Sequence, residues 1–584
     1  MHRACLFGLP LRFRTTKLPI AVLVGIALFA GTRTDASASI TSRILIDPTG
    51  EHTGDVFGCS VAWVGDVNGD SYDDLLIGAF RYPEIASVGQ AYLYFGGPAI
   101  DLVADLVITP PAGGAGWFGV SVASAGDFNG DGHPDFIIGA QQAGYEGKAF
   151  IYYGGPSLDA TPDFTMIGES TGSITAFGAS VASAGDVNED GFGDVIVGAP
   201  WYGGGGNKPG RAYVFFGGAV PDAIPDRVFP GVGFYDQLGS VVGSAGDMNG
   251  DGHPDVFASA PNSNAAAQGA GLISVWFGGP AFDANPDLAL PGSGLSEHLM
   301  NGANAGDVND DGFSDLIGAG RTQVRVWFGG SSPNAVPDIS LARTYASVAG
   351  AGDVNGDGVD DFVVGAPYDS SGGAGRVSIY FGGNAVDTLE DLSYAGAPAG
   401  GAIGLAVAGG GHVDGPGPSD VIASAYWDPE AVGYNMGRVY VMANASAPTG
   451  TCAGLADGTG CNDGNACTTG EVCGAGVCGG GTPVLPPAVG GSLSVAGNES
   501  GTTISWTDPP GPWSVYRGTR SGSPWAYNQT CHDARIAASS ATDAETPLVG
   551  TTFFYLVTRV DACGESIPGQ NSGGQSNPNP APCP

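Results

Sequence analysis

The sequence predicts an all-β chain dominated by a seven-bladed β-propeller, followed by a small disulfide-rich module and a C-terminal β-sandwich. Three observations predict it. An acidic loop recurs, with its first residue at Asp66, Asp127, Asp186, Asp247, Asp307 and Asp353, and a degraded copy follows at His412. Each copy lies between short apolar, β-branched runs of strand character. The first four spacings are about 60 residues, which is room for four short strands, and four strands per repeat make one propeller blade.

In chain order, residues 1–38 read as a secretion signal. Arg3, Arg12, Arg14 and Lys17 precede an apolar run from Leu18 to Ala30, and Ala36-Ser37-Ala38 fits a small-x-small cleavage site. The apolar run is short for a membrane span and no second run of spanning length follows, so the expectation is a secreted or cell-surface protein with no span once the signal is removed. Ser42-Arg43-Ile44-Leu45-Ile46-Asp47 then reads as a strand with no partner of its own in the sequence.

The propeller is expected over residues 40–445. Its second repeat shows the plan: Phe118 to Gly126, the loop, Phe136 to Ala140, Lys148 to Gly155, and Asp163 to Ile167 are four short strand-like runs divided by glycine-rich turns. The loop places oxygen donors at positions one, three, five and nine, and glycine at position six lets the backbone turn so that the seventh carbonyl can point inward. Such hard donors at this spacing suit Ca²⁺. The candidate ligands are Asp66, Asn68, Asp70 and Asp74; Asp127, Asn129, Asp131 and Asp135; Asp186, Asn188, Asp190 and Asp194; Asp247, Asn249, Asp251 and Asp255; Asp307, Asn309, Asp311 and Asp315; and Asp353, Asn355, Asp357 and Asp361. About six structural calcium ions are therefore expected. An EF-hand is excluded, because position twelve of the last loop is Val364, inside a strand-like run, where an EF-hand needs a glutamate and a helix. In the seventh copy, His412 and Pro416 replace the first and fifth donors, so no tight ion is expected there.

A residue pair before each loop and another after it carry a resemblance. Phe57-Gly58 with Gly78-Ala79, Phe118-Gly119 with Gly139-Ala140, and Phe177-Gly178 with Gly198-Ala199-Pro200 resemble FG-GAP repeats, the units of the propeller at the N-terminus of integrin α subunits. Leu238-Gly239 with Ser259-Ala260-Pro261, and Ile403-Gly404 with Ser424-Ala425, are variants; repeats five and six keep Gly318-Ala319 and Gly365-Ala366-Pro367 but lack a clear leading Phe-Gly. The resemblance implies a seven-bladed propeller with its loops on one face and structural calcium in them. The last repeat stops at its third strand, Gly437 to Met442, while Ser42 to Asp47 occupies the phase of a fourth. The N-terminal strand is therefore expected to complete blade seven and remove an open edge.

Residues 450–482 hold Cys452, Cys461, Cys467, Cys473 and Cys478, read as a disulfide knot with zinc as the lesser alternative. Residues 486–566, with Trp506 and Tyr555, resemble a fibronectin type III-like sandwich in which Cys531 and Cys563 are candidates to bridge; residues 567–584 are polar and expected to be disordered. Nine cysteines remain after the signal, so one is left over, and Cys59 is the candidate as a small buried residue.

Acidic residues outnumber basic ones 58 to 20, and the six loops hold 18 of the 58. The remaining excess speaks against nucleic acid or anionic lipid as a partner. No HExxH or Walker motif is present. His133 and His253 take position seven of their loops and are expected to face solvent. The sequence reads as a secreted, calcium-binding, non-catalytic binding or adhesion scaffold for an unknown protein or glycan. The competing readings are a secreted propeller enzyme, a polysaccharide lyase or hydrolase, and a structural envelope or matrix protein.

Overall fold

The computed structural model describes residues 42–444 apart from 47, 51–53, 83–87, 99, 113–115, 204–205, 370–373, 384–385, 397–401 and 426–436, and beyond them the backbone of short strands between 468 and 565. Residues 1–41, where the secretion signal is expected, most of the cysteine-rich stretch and the tail lie outside the described residues. No helix among the described residues is long and apolar enough to cross a membrane.

The chain divides into two units. In the first, seven four-stranded antiparallel sheets follow one another; the first six are simple meanders, and the seventh takes its fourth strand from the N-terminus. Blade two is typical: Phe118–Gly126, Asp135–Ala140, Lys148–Tyr152 and Phe164–Ile167. The first strands of successive blades touch one another in order, and the first strand of blade one also touches that of blade seven, which closes a ring around an axis. Second strands are buried along their whole length, as in Asp135–Ala140, because both faces are covered by neighbouring blades. This explains their runs of Val, Ile and Leu rather than an alternating pattern.

Closure is made by the N-terminal strand. Ser42–Ile46 pairs antiparallel with Arg438–Asn444 as the fourth strand of blade seven, with Ile44 opposite Met442 and Ile46 opposite Val441 across a bulge. The two ends of the unit are thus joined by main-chain hydrogen bonds, which cover the edge of Arg438–Asn444 and leave Ser42–Ile46 as the outer strand of blade seven, in the place of the other blades' fourth strands.

The repeated residue pairs have a packing cause. Gly119 adopts φ +80°, a left-handed backbone that glycine enters without cost. Its carbonyl lies against Gly78 of the preceding blade, where an added Cβ would stand 2.0 Å from that oxygen. The phenylalanine beside it, Phe118, is fully buried between blades one and two, worth roughly 1.5–3 kcal/mol. In blade five Leu299 takes the phenylalanine's place, bridging to Gly271 as Phe118 bridges to Gly89, and Met300 N–H donates to the Ala319 carbonyl. In blade six Ser347 pairs with Gly365 as Ser60 pairs with Gly78, and it donates its hydroxyl to the Gly404 carbonyl at 2.8 Å. Cys59 is buried as expected, its thiol 3.6 Å from the carbonyls of Gly78 and Gly119.

In the second unit, two short pairs come first: Thr468–Thr469 with Thr482–Pro483, and Val472–Gly474 with Val477–Gly479, the latter setting Cys473 opposite Cys478. A three-stranded sheet follows (Ser494–Asn498, Gly501–Ser505, Ser540–Asp543), and a four-stranded one in the order Thr530–Ile536, Trp513–Arg520, Thr552–Asp561, Gly564–Glu565.

Candidate metal centres

In a meander the first-to-second and third-to-fourth connections emerge at one end of the sheet. All six acidic loops are first-to-second connections, so they share one face of the propeller. Each joins strands that pair in register up to a bulge at the loop entrance, as between Gly350 and Gly352.

Within a loop the first Asp gathers the backbone. Asp353 Oδ1 accepts N–H groups from Gly356 and Asp357 at 2.6 and 3.0 Å, and Oδ2 accepts that of Gly358 at 2.8 Å. Asn355 Oδ1 accepts Asp357 N–H at 2.8 Å, and Asp357 Oδ1 accepts Val359 N–H at 3.0 Å. The loops at Asp66, Asp127 and Asp247 repeat the pattern with the same partners in sequence. The loops at Asp186 and Asp307 do so at the fifth and sixth N–H groups. The donors at positions one, three and five are partly or fully exposed, while the ninth is sealed in.

That ninth residue is the structural centre of each loop. Asp74, Asp135, Asp194, Asp255, Asp315 and Asp361 are all 0% exposed. Asp135 Oδ2 accepts Phe128 N–H of its own loop at 2.9 Å, and Oδ1 accepts Gly154 N–H from the turn after the third strand at 2.8 Å. The other five have the same two partners in register. The following glycine of that turn then donates to the preceding blade: Gly155 to the Val67 carbonyl at 2.7 Å, Gly218 to Phe128 at 2.8 Å, and likewise round to Gly97, which donates to Val413 of blade seven at 2.7 Å. Each buried carboxylate therefore ties its loop to its own blade, and one residue further on the same turn ties that blade to the preceding one.

No Lys or Arg among the described residues pairs with these six carboxylates. Burial pushes Asp74 up to about 7, with the nearby Asp70 and Asp66 carboxylates adding to the rise and two backbone N–H bonds opposing it. The other five also reach about 7, burial again the leading cause. A buried, unpaired carboxylate is costly as an anion and calls for a proton or a cation. The donor set suits a hard cation: three carboxylates and an amide oxygen per loop, with the position-seven carbonyl beside them. Among the described residues no three His, Cys, Asp or Glu side chains already converge as a cage; the loop oxygens are held by the loop's own N–H groups.

Two features were not anticipated from the sequence. His253 does not face solvent: its side chain is 12% exposed and its Nδ1 lies 3.4 Å from Glu189 Oε1, at position four of the preceding loop. Position seven meets position four of the neighbouring loop elsewhere too. A Cβ added to Gly130 would be 2.2 Å from Phe192 Cε1, and His133 lies against Gly69. The second feature is another set of acidic residues. Asp105, Asp163, Asp226, Asp287, Asp338 and Asp391 each accept the N–H of the residue that follows the third strand, as Asp163 does from Tyr153 at 2.8 Å. A recurring Pro-Asp, at Pro162-Asp163, Pro225-Asp226, Pro286-Asp287 and Pro337-Asp338, was the available signal. In the decayed seventh loop, Asp420 keeps the clip, accepting Val413 N–H at 2.9 Å.

Comparison with known proteins agrees with this geometry. The FG-GAP repeat family matches residues 57–94, 118–152, 177–215, 239–276 and 344–380, which are blades one to four and six. Integrin alpha-5 of Xenopus laevis is 31% identical over 253 residues, 40% of this chain and 22% of that protein. Integrin alpha-8 of Mus musculus is 39% identical over 163 residues, 26% of this chain and 15% of that protein. A phosphatidylinositol-glycan-specific phospholipase D of Bos taurus is 34% identical over 170 residues, 26% of this chain and 20% of that protein. The matched stretches thus span about a fifth or less of these relatives.

Proposed function

The N-terminal propeller is integrin-alpha-like and built of FG-GAP repeats, and from that premise we propose that the chain is an exported, calcium-stiffened, non-catalytic scaffold that binds a protein or glycan ligand. The observation that carries the calcium reading is the set of six fully buried carboxylates without a basic partner, each beside two further carboxylates and an asparagine on one tight loop. Ca²⁺ would be held by the side chains of positions one, three, five and nine and by the carbonyl at seven, and would supply the charge that the ninth Asp lacks. Because that Asp also holds the turn that reaches the preceding blade, the ion would stiffen the ring rather than one hairpin.

Integrin alpha chains make a binding or adhesion role the natural general reading, and a cell-surface or secreted location follows from the same relatives and from the N-terminal signal pattern. The phospholipase D match is to a protein named for an enzymatic activity. One repeat type found in both kinds of protein, over about a fifth of each, fits a module that binds rather than one that performs the chemistry. In the second unit, a three-stranded and a four-stranded antiparallel sheet support a fibronectin type III-like spacer over residues 486–566, behind a cysteine-rich module at 450–482.

The test is thermal unfolding of the mature chain in Ca²⁺ and in chelator, with a count of ions bound. The expected result is a higher midpoint in millimolar Ca²⁺ and about six ions per chain, since extracellular calcium modules bind at about 10⁻⁴–10⁻³ M. An unchanged midpoint with no bound ion sinks the calcium reading.

A further inference from the structure

The two faces of the propeller differ in chemistry. The loop face carries the six acidic loops, the Asp caps at the ends of the third strands, and Asx turns such as those of Asp159 and Asp222. The opposite face is made by the second-to-third connections and the blade-to-blade connections. Lys148, Lys208, Arg211, Arg321, Arg376 and Arg438 all stand at or just before the start of third strands, on this side. The exposed aromatic side chains among the described residues, Tyr145, Phe234, Tyr235, Tyr345 and Tyr368, are on this side too.

These features concentrate at blades three and four. Lys208 Nζ lies 4.3 Å from the Trp201 ring centroid and 5.9 Å from that of Tyr235. Unlike Arg211, which meets Glu169 at 2.6 Å, Lys208 has no carboxylate partner among the described residues, in a chain with nearly three acidic residues for each basic one. Phe234 is 72% exposed, its ring 6.0 Å from that of Tyr235. Tyr235 and Gln237 hold φ of 67° and 60°, left-handed conformations that non-glycine residues adopt only where the surrounding structure holds them, here at the tip of this connection. Beneath it, Gln237 accepts from the Asn262 amide at 2.6 Å, and Gln237 N–H donates to the Lys208 carbonyl at 3.1 Å.

We infer that this patch, Trp201, Lys208, Phe234 and Tyr235, is a binding site for an acidic polysaccharide, with a uronate carboxylate on Lys208 Nζ and a sugar ring laid on Phe234. It rests on the reading of the chain as a binding scaffold and names its ligand class. The acidic loops and Asp caps lie on the other face, and here a lone cation steadied by two rings and without a carboxylate partner among the described residues is complementary to the anion of a short acidic segment rather than to a broad polyanionic surface. A pyranose offers a flat C–H face to an aromatic ring and keeps its hydroxyls at the rim in water, which suits a ring standing proud of the surface. A protein partner would instead need water excluded around its anchors.

The test is calorimetric titration of the full mature chain in Ca²⁺ with trigalacturonate, too short to be cross-linked by calcium, and with neutral maltotriose. The expected result is that trigalacturonate binds and maltotriose does not. Lys208→Met and Phe234→Ala should each weaken binding about tenfold or more, and Lys208→Arg should retain it. All three variants should melt at the wild-type midpoint, and binding should weaken as salt is raised. Trigalacturonate binding that is absent, equalled by maltotriose, or indifferent to Lys208→Met overturns the site. Binding of poly-glutamate alone, lost in Lys208→Met, overturns the sugar assignment in favour of an acidic peptide. Cleavage of longer oligouronates with intact dependence on Lys208 would support the site while overturning the non-catalytic reading.

Discussion

At the scale of single residues, the ninth-position aspartates have the largest consequences. Their folded pKa of about 7 lies above the unfolded carboxylate value. The folded chain therefore holds protons that the unfolded chain has released, and the stability this gives is present in full below the unfolded value and lost as pH rises through about 7. In chelator, the thermal midpoint should be higher at pH 5 than at pH 8. In Ca²⁺ the ion takes the proton's place, so the gain from calcium should be larger at pH 8. A calcium gain that is flat from pH 5 to 8 would contradict this. A second residue-scale prediction concerns Gly139, where an added Cβ would meet the Gly178 carbonyl at 2.1 Å. Gly139→Ala should cost about 2–4 kcal/mol, read as a drop in denaturation midpoint at unchanged denaturant sensitivity. The acidic loops were legible because their pattern is local: four oxygen-bearing side chains within nine residues leave a fixed spacing in the chain. The place of His253 was not, because it depends on Glu189 of another blade, some 60 residues earlier, which no local spacing encodes.

At the scale of the element, the hairpin and its loop act together. In blade six, Asp353 receives three backbone N–H groups and Asp361 two, so the hairpin is wrapped from both ends of the loop. Asp357, exposed and bonded mainly within the loop, offers a cleaner test of the ion than either. Asp357→Ala should lower the bound calcium by one ion per chain, counted by metal analysis after dialysis. It should take away part of the calcium-dependent rise in midpoint while changing the midpoint in chelator by less than about 1 kcal/mol. Strand character and loop position were readable because the fully buried second strands announce themselves as apolar runs. The fourth strands were harder to place. They are short and half-exposed, as Phe164–Ile167 shows, and their register is set by the Asp caps rather than by an apolar pattern. Blade five reads weakly for a related reason: Leu299 and Met300 do the work of Phe-Gly, which is a matter of shape that a motif of letters does not hold.

At the scale of the whole molecule, closure decides stability. Seven blades could be counted from the loops, but the ring is completed only because Ser42–Ile46 supplies the missing strand of blade seven, and that was readable from the phase of the repeat alone. Ile44 pairs with Met442 in that ladder, and the next pairing, Ile46 with Val441, follows a bulge. Ile44→Pro removes a backbone N–H and fixes φ at the centre of a five-residue strand that is held by Arg438–Asn444 on one side alone, so little else keeps it in place. Losing the strand would uncover one edge of Arg438–Asn444, whose own Val439, Val441 and Met442 are buried in the closed ring. The expected outcome is a loss of about 1–3 kcal/mol and self-association that grows with protein concentration, because an unpaired apolar edge recruits another chain. Sedimentation of Ile44→Pro beside wild type, across a tenfold range of concentration in Ca²⁺, measures it. Calcium should slow the opening without preventing it, since the clips made by the loops' aspartates lie within and between neighbouring blades, while the closing strand joins the two ends of the ring. A variant that stays monomeric at the wild-type midpoint would show that those clips alone hold the propeller shut.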